Sequence, residues 1–429
     1  MKSTVAMKLV GLGAALFVLS MVTEAGAGGL YLYEVGSPDV GLAAAGYAAR
    51  AQDASTAFTN PAGMTRLKQS QVQFGAQPMY LHVKFDPSAE TTATGRSGDA
   101  SDWMLSAGTF IVTPLTPELS LGFSIVGNFG LGLVYGDDWV GRYYLKDVLM
   151  QGITLAPALA YRVNDQVSIG ASFNAMYGTL EQSLAVNNAA ILNPDHPDGE
   201  LELEDETWGF GGTFGVLIEP QPGTRFGATY MTKTELDFES KTKFSGLRPL
   251  LETALDSRGL LDAKLELPLE VPQAVMLSAF HQVNDRLAIM GNLGWQDWSE
   301  FGKVDVTVAA EDTTSLTADR QYKDTWHAAL GAQYQLSTPW LLSGGIAYDS
   351  EMVDEEDLTP DLPSGAMWRF GVGGQYAWSK ALTVNCAYEL NWLGDLSMDV
   401  ERGPLAGRVA GEYESMAIHN LVLGLNWNF

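Results

Sequence analysis

A single cysteine, Cys386, stands in 429 residues, so no disulfide can form within the chain, and a chain of this length needs none. Past the amino-terminal leader no stretch reaches the roughly 18 uninterrupted apolar residues of a membrane-crossing helix. Basic residues are scarce: 25 Lys and Arg face 51 Asp and Glu, for a net charge of −26. That balance argues against a nucleic-acid partner, whose phosphates call for clustered cations. It suits acidic loops facing a divalent-cation-rich surface, and it suits a secreted acidic enzyme equally well. The five histidines come without a Gly-x-Ser-x-Gly nucleophile elbow. His327, on a polar strand face, is a candidate base weighed against a structural place in a lumen. His196-Pro197-Asp198, in an acidic loop, supplies no metal-ligand set. Neither a cofactor nor a catalytic residue is expected.

What is present begins with an export signal. Lys2 and Lys8 precede a mostly apolar run from Leu9 to Val22, and Ala25-Gly26-Ala27 fits a small-x-small cleavage site. A membrane anchor is the alternative, but the run is short and ends without a stop-transfer pattern. Residues 1–27 are therefore read as a signal peptide. The full chain is 46% hydrophobic and rich in 46 Gly, 17 Phe, 16 Tyr and 11 Trp. Such a chain is a large soluble β protein, or a barrel whose apolar surface is laid down one residue in two.

Period two is clearest at the end. Leu421, Leu423, Leu425, Trp427 and Phe429 alternate with Asn420, Gly424, Asn426 and Asn428. The same alternation marks Leu382–Trp392, Trp368–Trp378 and Trp326–Leu336, with aromatics closing the greasy face as girdles do. Fourteen strands follow: 70–85, 102–113, 118–129, 151–163, 166–182, 205–218, 223–238, 265–283, 286–309 (with a break expected near Phe301), 321–336, 340–349, 365–378, 381–396 and 412–429. Tight turns at Asn164-Asp165, His281–Asp285, Ser337–Pro339 and Ser379-Lys380 contrast with long excursions at 187–204, 240–264, 310–320, 350–364 and 396–412. Short turns at one rim and long loops at the other favour an all-β, fourteen-stranded antiparallel transmembrane β-barrel over a sandwich. Two loops are unusual. Residues 130–150 are too apolar to be solvated, and 247–267 spaces Leu250, Leu251, Ala254, Leu255 and Leu260 as one helix face. Packing among loops and a landing groove for a hydrophobic solute both fit them.

Residues 28–66 do not read as strand. They are small-residue-rich, broken at Gly36-Ser37-Pro38 and Asn60-Pro61-Ala62, and carry few charges. Pro61 holds the preceding residues extended, and Asn60 is suited to bond its own backbone. A barrel this wide needs filling. The segment is thus read as an N-terminal hatch, or plug, inside the lumen of a barrel spanning 67–429, its backbone satisfied by inward polar side chains. A merely stabilising role is the alternative. A small, weakly charged plug points to a hydrophobic solute.

Several pieces, taken in order, resemble the FadL/TodX family of outer-membrane transporters for hydrophobic compounds. They include Gly36-Ser37 with Gly41, Asp53-Ala54-Ser55-Thr56, Asn60-Pro61-Ala62-Gly63-Met64, Gly122-Phe123-Ser124, Gly141-Arg142-Tyr143, Ala160-Tyr161-Arg162, Trp295 with Trp298-Ser299, Asp349-Ser350, Leu362-Pro363 and terminal Phe429. The resemblance implies passive, hatch-gated uptake with lateral release through an opening beside an inward-kinked strand. It implies that Asn60, Pro61 and Ala62 border that opening. The kink is expected in the third strand, at Gly122, Phe123 and Ser124 and at Gly127, Asn128, Phe129 and Gly130. Fatty-acid members meet a carboxylate with Arg and Lys. The comparable places here are Gln182, which replaces the Arg, and Arg320 or Lys323, with Arg142, Arg162 or Arg369 as substitutes for the lost Arg or, alternatively, as inward structural arginines. The loss at Gln182 favours neutral aromatic hydrocarbons or alkanes, while long-chain fatty acid is the family's commonest substrate. The expected setting is a monomer in the Gram-negative outer membrane, against lipid and lipopolysaccharide, with detergent able to occupy its pocket once purified. A lipid-active barrel enzyme and a purely structural barrel or adhesin are the competing classes.

Overall fold

The computed structural model describes residues 30–188, 197–309, 314–403 and 405–429. The signal peptide and His196 lie outside the described residues. Fourteen antiparallel strands close on themselves. They are β1 (Gln71–His82, continued by Lys84–Pro87), β2 (Gly98–Asp99 and Asp102–Pro114), β3 (Leu119–Val134), β4 (Asp147–Arg162), β5 (Val167–Val186), β6 (Gly199–Gln221) and β7 (Thr224–Met231 and Thr234–Lys241). The ring continues with β8 (Lys264–Val271 and Ala274–Gln282), β9 (Leu287–Gln296 and Lys303–Ala309), β10 (Thr314–Asp319 and Thr325–Ser337), β11 (Trp340–Asp349), β12 (Met367–Ala377), β13 (Leu382–Glu401) and β14 (Arg408–Asn428). Closure is made by β1 on β14, from Gln71 opposite Asn428 to His82 opposite Ala417.

Burial along the strands is inverted relative to a soluble sandwich. On β14 Leu423, Leu425 and Trp427 are 56%, 47% and 53% exposed, whereas Asn420 is fully buried. On β13 Tyr388 and Trp392 face out, and Asn385, Glu389 and Asn391 face in. Water would penalise that arrangement; a bilayer around the ring and a polar lumen within it make it favourable. The alternation legible in the sequence is therefore outward-apolar, and barrel replaces sandwich.

Several strands outrun their expected ends. β3 reaches Val134 and β4 begins at Asp147, so much of the apolar 130–150 stretch is strand whose Leu131 and Leu133 point into the core. β13 and β14 continue to Glu401 and from Arg408, leaving a short rim loop where 396–412 was expected. The break near Phe301 is a helical turn, Trp298–Phe301, with both aromatics buried. A helix does form at Pro249–Asp256, packing through Leu255 and leaving Leu250 exposed.

Candidate functional site: a break in the barrel wall

β2 and β3 pair from Pro114 opposite Ser120 up to Gly108 opposite Val126, and there the pairing stops. The upper part of β2 stays bonded to β1, through Ala107 opposite Ala76 and Asp102 opposite Leu81. β3 instead stays with β4, and its register shifts between Gly127 and Phe129. Asn128 is the extra residue, a bulge that bends the strand away from its former neighbour. Its side chain turns inward and accepts from Thr154 Oγ1 at 2.7 Å. The last tie across the seam is Ser106 Oγ donating to Gly127 O at 2.6 Å.

The separation opens a cavity of about 320 Å³. Leu105, Ile125 and Ile153 form its mouth on the lipid side, while Leu81, Leu131, Leu133 and Met416 line it within. Among the described residues, Ser106, Gln151 and Ser364 are its only polar side chains, and no charged residue lines it.

The amino-terminal segment stands across the inner side. Leu32 N donates to Asn128 O and Gly130 N donates to Leu30 O, both at 2.9 Å, so Tyr31 faces Phe129 as a short antiparallel strap. Leu32 itself lines the cavity. At the far end of the strap Glu34 takes both contacts from Arg369 Nη1, at 2.7 and 2.8 Å. Arg369 Nε also reaches Asp349 at 2.5 Å, and Asp349 holds His327 Nδ1 at 2.8 Å. The Tyr33 ring lies 4.6 Å from the His327 ring and 5.4 Å from the guanidinium.

The rest of the segment is buried against inward-facing side chains around the ring. Asn292 Oδ1 accepts from Gly46 N and Tyr47 N, Ser278 Oγ from Ala48 N, and Gln73 Oε1 from Ser55 N. Arg225 donates to Ala49 O and Arg50 O at 2.8 and 2.7 Å. Inside the segment Arg50 bridges Asp39 at 2.9 Å and Asp53 at 3.6 Å. Backbone groups that lack water thus find barrel side chains. Gly36 and Ser37 open a short helix, Ser37–Val40, with Ser37 Oγ seated on Gly424, where a Cβ would come within 1.9 Å of it.

The expected site residues divide. Gly127, Asn128, Phe129 and Gly130 are at the break. Gly122, Phe123 and Ser124 lie below it in fully paired strand, opposite Val112, Ile111 and Phe110. Asn60, Pro61 and Ala62 are not beside the break. Asn60 caps the 3-10 turn Pro61–Arg66 by accepting from Ala62 N at 3.1 Å, and its Nδ2 donates to Ala48 O and Val216 O. The motif sits on β5 and β6, whose pairing is continuous there (Gly170 opposite Gly215). Those glycines create its seat: a Cβ at Gly215 would lie 2.0 Å from Asn60 Oδ1, and one at Gly170 would lie 2.4 Å from Ala62 N.

The polar-group candidates are not gathered either. Arg142 Nε binds Asp198 at 2.8 Å in the rim, beside Tyr143, whose hydroxyl burial pushes up to about 12 so that it stays a donor to Asp198. Arg320 binds Asp361 at 2.8 Å, and exposed Lys323 binds Asp354. Gln182 is the exception, buried on β5 between Leu180 and Leu184 in the upper apolar core. His327 has no serine hydroxyl bonded to it among the described residues. The strap on β3 and the Glu34–Arg369–Asp349 network went unread in the sequence. Alternation in Leu30-Tyr31-Leu32-Tyr33 and the lone arginine on the inner face of β12 were the available signals.

Fold and site together define an outer-membrane barrel with a filled lumen and an apolar side opening. A family profile described as outer membrane protein transport protein (OMPP1/FadL/TodX) matches residues 18–429, and the chain belongs to that family. It is 26% identical to a long-chain fatty acid transport protein of Escherichia coli O6:H1, over 97% of each chain. It is equally 26% identical to outer membrane protein P1 of Haemophilus influenzae, over 97% of this chain and 98% of that one. Among solved structures, a Pseudomonas aeruginosa FadL homologue superposes with TM-score 0.83 at 20% identity, over 93% and 99% of the two chains. The Pseudomonas putida toluene transporter TodX superposes at 0.70 with 16% identity, over 92% and 98%. The protein resides in the Gram-negative outer membrane.

Proposed function

We propose that this barrel carries hydrophobic small molecules inward, down their gradient, and releases them sideways into the membrane between β2 and β3. The observation that carries this reading is a wall break lined without charge and opening at lipid-facing Leu105 and Ile125. An insoluble solute leaving there avoids water throughout, and no energy source or cofactor is required. Residues 30–66 act as the hatch. The strap at Leu30–Leu32 must part from β3 for a solute to reach the cavity from the apolar core above it. Relatives described as long-chain fatty acid transporters and as toluene transporters support the substrate class.

Within that class a second reading has its own support. Arg142, Arg320 and Lys323 each hold a carboxylate of the protein. A fatty-acid head group would have to displace one of these, whereas a neutral hydrocarbon needs no cation. The test is uptake of labelled oleate and of labelled toluene by cells lacking their own transporter. Deleting Asn128 should restore an unshifted β3, close the break and abolish uptake while the barrel still reaches the membrane. Undiminished uptake by the deletion would overturn the lateral route. Transport of oleate but not toluene would decide for the acid.

A further inference from the structure

On the inner face of β13 the Glu389 carboxylate is fully buried. Its Oε1 accepts one long hydrogen bond, 3.3 Å, from Asn420 Nδ2 directly opposite on β14. Its Oε2 has no partner among the described residues. The amide oxygens of Asn420 and of Asn391, two residues further along the same face, are also buried and unpartnered. Three acceptor oxygens with no donor therefore occupy neighbouring inward positions of one strand pair. The charge around them is unbalanced in the same direction. Glu34 and Asp349 face this side of the lumen too, and Arg369 directs its Nε and Nη1 to those two and makes no hydrogen bond to Glu389. Three carboxylates, Glu34, Asp349 and Glu389, thus share the single guanidinium of Arg369.

We propose that Glu389, Asn391 and Asn420 bind a hard, oxygen-seeking cation, Ca²⁺ or Na⁺, within the lumen. Such ions accept carboxylate and amide oxygens together and complete their shell with water. A cation offsets the surplus charge and engages all three orphan oxygens, whereas a proton on Glu389 Oε2 can be donated to only one of the two amide oxygens and leaves the other unpaired. The site is independent of the solute route. It lies where Glu34 joins the segment to the wall, so occupancy stabilises that junction.

The experiment uses the full mature barrel purified in detergent, stripped with a chelator into choline chloride. CaCl₂ and, separately, NaCl are then titrated at constant ionic strength while thermal unfolding is followed. A saturable rise in Tm of several degrees is expected for the wild type with one of the two salts, and its loss in Glu389→Gln and in Asn391→Ala. The second variant keeps the buried acid and guards against a folding defect in the first. The rim acids Asp354, Glu356 and Asp357, whose ligand atoms lie within 4.8 Å of one another, are the control surface. No saturable response, a response as large in both lumen variants as in the wild type, or one removed by Asp354→Asn instead would overturn the site. So would a Tm that follows pH alone and ignores both cations.

Discussion

Replacing Arg369 with methionine should free the amino-terminal strap without unfolding the barrel. Arg369 is 2% exposed and, among the described residues, is the only guanidinium bonded to Glu34, which is fully buried. Removing one member of a buried ion pair costs about 3–5 kcal/mol, because the other charge is stranded. What opposes release of the strap is of similar size. Its two backbone hydrogen bonds to β3 are worth roughly 0.5–1.5 kcal/mol each, the Tyr33 ring contacts add about 0.5–1.5 kcal/mol, and Leu30 and Tyr31 are buried. The stranded Glu34 offsets the hydrogen bonds and ring contacts and acts on the strap alone, so strap loosening should precede any loss of barrel pairing. A spin label at Tyr31→Cys, in a Cys386→Ser background, reads this directly: immobile with Arg369, mobile with methionine. Barrel melting should change much less than label mobility. Adding Glu34→Gln to the methionine variant should partly restore order, since no charge is then stranded on the strap. A label that stays immobile in the single variant, or a barrel that melts together with the strap, would refute the reasoning.

The break itself should be sensitive to charge. Leu133→Glu places a carboxylate in a cavity with no cation, and uptake of labelled toluene should fall at least tenfold while heat-modifiable mobility on gels stays normal. The seat of the Asn60 turn should be sensitive to size. Gly215→Val sets carbon where Asn60 Oδ1 lies and should destabilise the segment by about 1–3 kcal/mol, seen as faster amide exchange across residues 48–62. Asn60→Ala removes the cap of the 3-10 turn, costing about 1 kcal/mol, and should loosen the same residues without touching the strap. Tyr143→Phe should leave uptake unchanged, because its hydroxyl serves the Arg142–Asp198 rim contact.

Which parts of the molecule were legible in advance follows from the range of the forces involved. Alternation with period two is a local property, written into Leu421 to Phe429 by the need for a greasy face against lipid, and so strand number and order were readable. The break near Phe301 and the helix around Leu255 were readable for the same reason. What one chain segment does to a distant one was not. Asn60-Pro61-Ala62 reads as a turn, and it is one, but its position on β5 and β6 depends on Gly170 and Gly215, more than a hundred residues away in the chain. Nothing in the motif's own chemistry distinguishes that wall from the broken one.

The consequence for the site is more than a change of address. The opening and the turn motif are separated, so motion of one must reach the other through residues 30–60 as a body. That body is fastened to β3 by two backbone bonds, to β12 by the Glu34–Arg369 pair, to β1 by Gln73, and to β6 through β9 by Asn60, Arg225, Ser278 and Asn292. The β3 attachment is the weakest and lies against the cavity, so a solute pressing from the apolar core meets the least resistance there. Displacing Leu30–Leu32 alone would then open the route while the Asn60 turn keeps its seat. A double label, one at residue 31 and one at residue 62, should report motion only at the first when hydrophobic solute is added. Equal displacement at both would mean that the segment moves as a rigid plug, and the strap would not be the gate.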